Sequence, residues 1–281
     1  MRLRAVGPAL LGLTSLLGVL GSRRPVQAAE LKWTELEPGI AYATAEAPGP
    51  RPLSLPIDGH LHLVRVDPKR RSLVAVMAGA GDSRPRTAAQ WCRERGLAVA
   101  INMGMFETDR RTNTGYARNP GYMNNRRWSA KYKSALGFGA LKRGLPALVM
   151  ADLDDPTAKA RLADYGTVVQ NLRLIKAGRS VWEQQERRWS EAAVGVDHQG
   201  RLLFIFSRYP YTMKELNEIL LALPLSIDAA MHMDGGPPAS LSIHAGGVDL
   251  DLNGSFETGA LESDGVQAQS PLPNVLGVRR R

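Results

Sequence analysis

Apolar residues alternate with polar ones along most of this chain, in runs too short for long helices. His60 to Val66 and Ser72 to Met77 each read as a strand, and the turn Asp67-Pro68-Lys69-Arg70-Arg71 between them predicts a hairpin. Thr87-Ala-Ala-Gln90 is a capping box opening a helix that ends at Gly96, a residue suited to the left-handed stop position. Leu97 to Ile101 follows as a fully apolar strand, and a polar loop then runs to Pro120. Leu136–Leu141 and Ala147–Ala151 read as paired strands, Thr157–Tyr165 as a short helix, and Val168–Ile175 as a strand or strand pair. Ala192–Val196 and Leu202–Phe206, joined by Asp197-His198-Gln199-Gly200, form a strong hairpin pattern. A second capping box, Thr212 to Glu215, opens a helix with Met213, Leu216, Ile219, Leu220 and Leu223 on one face before Pro224.

The stretch Ser226 to His244, SIDAAMHMDGGPPASLSIH, reads as strand, tight Gly/Pro turn and strand. A period of two puts Ile227, Ala229, Met231 and Met233 on one face, and Asp228, Ala230, His232 and Asp234 on the other. Asp234 then ends the strand before Gly235-Gly236, where residues without a β-carbon let a ligand approach the backbone. The plain alternative is an Asp-Gly hairpin turn whose Asp caps its own backbone. Val248 to Leu252 and a last strand from Leu272 to Val278 complete the pattern. Many strands, several hairpins and few helices predict an α+β fold, a mixed and largely antiparallel sheet with a few packed helices and a cleft at the strand ends.

The N-terminus adds an address. Arg2 and Arg4 precede an uncharged run from Ala5 to Leu20 broken by Pro8 and glycines, and Val26-Gln27-Ala28 offers small residues for cleavage. That is the pattern of a signal peptide over 1–28, with a run shorter than the roughly 20 residues that span a bilayer. Export to the periplasm or medium, with no stable membrane anchor after cleavage, is the expectation. Residues 29–60, rich in Pro, Ala and Glu, read as an extension or linker, and 61–281 as the main domain. Of the net charge of +9, four units belong to Arg2, Arg4, Arg23 and Arg24, leaving +5 for the rest. So modest a surplus, with scattered Lys and Arg and few aromatics, suits an anionic substrate or envelope surface and argues against nucleic acid. The single cysteine, Cys92, excludes an internal disulfide and reads as a buried, inert thiol. Glycine-rich phosphate loops, a strand-linked GxGxxG, HExxH and GxSxG are all absent.

Three segments in order resemble elements of the phosphodiester glycosidase family, which includes the mannose 6-phosphate uncovering enzyme. Ala98-Val-Ala-Ile-Asn-Met-Gly-Met-Phe106 is similar to its A-x-N-x-G-x-F element. Ala193-Val-Gly-Val-Asp-His-Gln-Gly-Arg-Leu202 is similar to its A-x-G-x-D-x-x-G-x-L hairpin, and the segment Ala230-Met-His-Met-Asp-Gly-Gly-Pro-Pro-Ala-Ser240 resembles its N-L-D-G-G-x-S signature. The helix before that signature and the closing Pro273 to Gly277 strand also fit. The chain departs from the family pattern at Trp189-Ser190-Glu191, His232 and Pro237-Pro238. The resemblance implies a mixed α/β fold with a cleft and hydrolysis of a sugar-1-phosphodiester at its glycosidic bond. It marks Asn102, Gly104, Asp234, Gly235, Gly236 and Ser240.

Such a reaction needs a carboxylate, a cation stabiliser and a holder for phosphate. Asp234 is the candidate base or cation stabiliser. Asn102 is the candidate to orient a sugar hydroxyl or water. Glu191 is the first candidate second carboxylate, ahead of Glu107 and Asp109. Backbone N–H groups of Gly235 and Gly236, together with Gly104, Ser240, Arg173 and Arg118, are candidate substrate contacts. His232 is either a general acid or a satisfied half-buried histidine, with the second reading preferred. No ligand spacing is diagnostic of a metal, though Asp234, His232 and Asp228 can be imagined as one, and the sequence names no cofactor. The expected partner is a sugar-phosphate diester or an envelope glycan. The competing function is an inactive carbohydrate- or envelope-binding protein on the same scaffold.

Overall fold

The computed structural model describes residues 31–46, 53 and 57–281; the segment read as a signal peptide and nearly all of 47–56 lie outside the described residues. In chain order the first strands are β1 (Thr34–Glu37), β2 (Ile40–Glu46), β3 (His60–Val66), β4 (Leu73–Met77), β5 (Leu97–Asn102) and β6 (Ala117–Asn119). Next come β7 (Tyr122–Asn125), β8 (Ser134–Ala140), β9 (Leu148–Asp152), β10 (Tyr165–Asn171), β11 (Arg173–Lys176) and β12 (Arg179–Ser180). The last are β13 (Trp189–Asp197), β14 (Leu202–Tyr211), β15 (Ile227–Gly235), β16 (Ser240–Ala245), β17 (Val248–Asn253) and β18 (Asn274–Arg279). The helices are α1 (Ala88–Arg95), α2 (Ala158–Leu162) and α3 (Met213–Ala222).

These strands form an eight-stranded sheet, β1-β2-β3-β14-β13-β15-β11-β12, and two five-stranded sheets, β7-β6-β10-β8-β9 and β17-β16-β5-β18-β4. Every pairing among the described strands is antiparallel. The expected α+β class, dominated by antiparallel sheet, is therefore the fold observed.

The central strands are apolar on both faces because both faces are covered. On β14, Leu202, Phe204 and Phe206 point into a core shared with Val99, Ile101, Leu241 and Leu276 of one small sheet and Leu136 and Val169 of the other. Leu203 and Ile205 point the opposite way, against Met213, Leu216, Ile219 and Leu220 of α3. The caps expected for α1 and α3 are both complete capping boxes, and Gly96 ends α1 in the left-handed conformation (φ 61°). Helix α1 covers the outer face of its sheet with Trp91 and Cys92, and α2 covers the other with Ala158 and Leu162.

Two expected hairpins are instead crossings between sheets. β3 pairs with β2 and β14, whereas β4 pairs with β18, so the Asp67 turn hands the chain from one sheet to another. The Asp67 carbonyl accepts Arg70 and Arg71 N–H at 3.1 and 3.0 Å, and the buried Arg71 guanidinium then pairs with Glu37 (2.9 Å) and donates to Arg279 O (2.7 Å). Likewise β15 belongs to the large sheet and β16 to a small one, so Gly235 to Ala239 is a bridge between sheets. The segment read as an extension over 29–60 supplies β1 and β2 to the edge of the large sheet.

Candidate active site

The site lies where β13 and β15 run side by side. Their register slips twice. Val196 faces Ala229 but Asp197 faces Ile227, and Ala193 faces His232 but Ala192 faces Asp234. Each slip is a β-bulge that breaks the two-residue alternation. Ile227 consequently packs with α3, away from Met231 and Met233, which share the core between the sheets. At the second bulge Met233 is the extra residue, so Asp234 stands across from Ala192 and leaves the file that His232 shares with Ala193. The single polar face expected for Asp228, Ala230, His232 and Asp234 is thus not preserved.

What the bulge assembles is a cluster around one imidazole. His232 Nδ1 lies 2.5 Å from Glu191 Oε1, and Trp189 Nε1 donates to Glu191 Oε2 at 2.6 Å. His232 and Glu191 are 3% and 2% exposed, and the Trp189 ring meets His232 edge-on at 6.2 Å. Burial drives the Glu191 carboxyl above its ordinary range, with His232 and Trp189 offsetting part of that. Burial alone lowers a histidine, but the Glu191 carboxylate, helped by Asp234 and Glu257, outweighs it and raises His232. Asp234 is pushed up to about 7, first by burial of its carboxyl and then by Glu191 and Glu257, against His232 and the Gly235 N–H. Glu191 thus touches His232, and Asp234 and Glu257 lie near enough to bias its charge. Asp234 is the one held near neutrality.

The two glycines serve a different end from the one expected. The Gly235 N–H donates to Asp234 Oδ1 at 2.9 Å and the Gly236 N–H to Ser190 O at 2.9 Å, so neither is open to phosphate. A β-carbon on Gly235 would fall 2.2 Å from Trp189 Cδ1, and one on Gly236 (φ 64°) 2.7 Å from Glu257 Oε2. Protein side chains, not a ligand, occupy the space these residues leave. Ser240 N donates to Asn102 Oδ1 at 3.0 Å and Ser240 Oγ to Pro238 O at 3.1 Å, which ties the bridge to β5. Asn102 is buried and its Nδ2 has no partner. Gly104 borders the side chains of Asn113 and Asn171, and Asn171 Nδ2 donates to Met233 O at 3.0 Å. Asn102, Gly104, Gly235, Gly236 and Ser240 are thus gathered at the β15 end with Asp234 and Glu191.

The other candidates are elsewhere. Arg173 pairs with Asp152 and with Asp154 (2.7 Å). Arg118 donates to Tyr165 O at 2.6 Å beside the end of α2. Asp109 accepts from Arg111 and Thr112 in its own exposed loop, and Glu107 is exposed there too. Asp228 lies 3.8 Å from His198 at the far end of β15, which separates it from His232. Among the described residues, no three His, Cys, Asp or Glu side chains are grouped to hold a metal. Cys92 is fully buried, its thiol pushed up to about 12 by burial, then by Asp251. No described helix is long and apolar enough to cross a membrane. Sequence reasoning missed Glu257, which lies in a Gly/Ser-rich loop without motif or periodicity. It reaches the site because residue 257 bridges to Trp189.

The profile of the phosphodiester glycosidase family matches residues 95–279. No curated protein sequence matches the chain. In structure it is similar to the catalytic domain of zebrafish N-acetylglucosamine-1-phosphodiester alpha-N-acetylglucosaminidase, described as auto-inhibited by its pro-peptide. The TM-score is 0.61 at 15% identity, over 90% of this chain and 88% of that one. A hypothetical protein from Synechocystis has the same TM-score of 0.61 at 17% identity, over 91% of this chain and 64% of that one.

Proposed function

The chain belongs to the phosphodiester glycosidase family, and on that footing we propose that it hydrolyses the glycosidic bond of a sugar-1-phosphodiester. The observation that carries this reading is the Asp234 carboxyl, poised near neutrality beside the buried Glu191–His232 pair. A base working at neutral pH needs a pKa near 7, which an exposed aspartate lacks. In this reaction water attacks C1 of the sugar and Asp234 takes its proton. The C1–O bond breaks, and its electron pair leaves with the phosphate as a monoester. Because that leaving group is good, little acid assistance is required, and the second carboxylate serves chiefly to support the oxocarbenium-like transition state.

We assign that second role to Glu257, which is part-exposed and lies against Gly236. Glu191, buried and engaged at both oxygens, acts through His232 as a positioning residue. The free Nδ2 of Asn102 is the donor for a sugar hydroxyl or the attacking water. Arg187, exposed and 3.8 Å from Glu257, offers a cation to the phosphate in place of Arg118. The reading includes export to the periplasm or medium, and N-terminal sequencing of exported protein is expected to begin at Ala29.

The test is release of free sugar from a methyl phosphodiester of a sugar 1-phosphate. Asp234→Asn should lose about 10²- to 10⁴-fold in rate, the range for a positioned acid or base, while its folding is intact by circular dichroism. Equal turnover by the variant would sink the assignment. Absence of turnover with retained sugar binding would favour the inactive binding protein.

A further inference from the structure

One strand away from the cluster lies a cleft that the proposed reaction does not use. It measures about 260 Å³ and is lined by Lys131, Lys133, Leu172, Arg173, Val181 and Trp182. The main chain joins it to the site: Leu172 O accepts the His232 N–H at 2.9 Å, and Arg173 stands opposite Met231. Trp182, Leu172 and Trp189 pack against one and the same core cluster, and Trp189 in turn holds Glu191. Cleft and cluster therefore lie on neighbouring strands of the large sheet.

Its chemistry is lopsided. Arg173 and Lys176 bind Asp152, Arg173 also binds Asp154, and Lys133 approaches Asp154 at 3.4 Å. Three cations thus answer two carboxylates. Lys131 adds a fourth with no acidic partner among the described residues, and the Nε of Arg173 is buried without a hydrogen-bond acceptor. Beside these charges is an apolar shelf. Trp182 donates its indole N–H to Arg173 O at 2.7 Å, which fixes the ring, and Val181 is 39% exposed.

An aromatic face flanked by ammonium groups suits a sugar ring with a phosphate attached, since the ring stacks and the phosphate pairs. The volume is below the roughly 300 Å³ of pockets that enclose a whole drug-sized ligand, so it takes one unit of a longer chain. We propose that this cleft binds a neighbouring sugar-phosphate unit of a phosphodiester-linked glycan whose scissile unit lies at Asp234. The location of the scissile unit rests on the hydrolase reading; the affinity of the cleft does not.

Binding is measured on the full chain carrying Asp234→Asn, so that ligand is not consumed, by tryptophan fluorescence. The probes are a synthetic tetramer of α-glucosyl-1-phosphate units, a neutral glucan tetramer and a single-stranded oligonucleotide of equal charge. The phosphodiester tetramer should bind at least about tenfold tighter than the neutral glucan, and added salt should weaken it. Lys131→Glu with Lys133→Glu, both exposed positions, should cost at least about tenfold, and Trp182→Ala should remove most of the fluorescence change. Equal affinity for the two tetramers, unchanged affinity in the double variant, or an oligonucleotide bound as tightly as the glycan overturns the proposal. Sugar release by the unmodified chain is scored separately. Its absence alongside charge-dependent tetramer binding removes the hydrolase reading and leaves the cleft standing.

Discussion

His232 and His244 both pair with carboxylates, and their surroundings give them opposite consequences. His244 on β16 contacts Asp249 through Nδ1 and lies 3.2 Å from Asp251 Oδ1 through Nε2, across a hairpin in unbroken register. His232 on β15 contacts Glu191 across a bulged register, with Asp234 and Glu257 close enough to bias its charge. The Asp249 and Asp251 side chains are 85% and 40% exposed, whereas Glu191 is 2% exposed. Water screens the first group, so its pairing has little leverage on stability. The second is desolvated, so every charge in it alters its neighbours. Residue type alone does not separate the two. Burial and register do.

The sharpest break in the comparison is catalytic. The loss of about 10²- to 10⁴-fold expected for Asp234→Asn should have no counterpart in Asp249→Asn, which should keep wild-type sugar release. On stability, His232→Ala leaves Glu191 buried without its partner and should cost about 3–5 kcal/mol in urea unfolding. His244→Ala should cost under about 1 kcal/mol in the same experiment. Similar losses for both histidines would erase the distinction between them.

Proton uptake gives a subtler comparison. Carboxyl NMR should show Asp234 titrating near 7, and sugar release should rise with pH through that value as the base loses its proton. Glu257→Gln removes a negative neighbour, so the Asp234 midpoint should move down; an unchanged midpoint would contradict the assigned coupling. The sign for stability is the reverse of an ordinary salt-bridged aspartate. Unfolded, Asp234 releases its proton near 3.8; folded, near 7. Folded stability from this group therefore falls as pH rises between those values and levels off above them. Asparagine has no proton to lose, so Asp234→Asn should gain in melting temperature relative to wild type above pH 7. The smallest effect is expected from salt: it should leave the buried His232 contact unmoved and weaken the exposed His244 contact slightly.

Much of this was legible in the residues. Both capping boxes, the buried Leu97 to Ile101 strand and the Ala192–Phe206 hairpin follow from local spacing, because caps, periodicity and short turns act within a few residues. The motif residues Asn102, Gly104, Asp234, Gly235, Gly236 and Ser240 were found on the sequence, and they meet at one strand end. Their individual contacts were not foreseeable. Neither was the engagement of Arg173 and Arg118 with partners of their own, since an arginine's companion is set by whichever acceptor the fold brings near. The Asp67 and Asp234 turns read as hairpins because a turn records a reversal of the chain and not which sheet receives the next strand.

By itself, then, the sequence determined the element types, the antiparallel class, the family resemblance and the place of the Asp234-Gly235-Gly236 stretch at a strand end. Tertiary structure decided that Glu191 is buried against His232, that Glu257 arrives from a distant loop, and that both glycine N–H groups are taken. The physical reason is the bulge at Met233 together with desolvation. A one-residue slip in pairing turns side chains to another face, and only the packed sheets exclude the water that would otherwise level their charges.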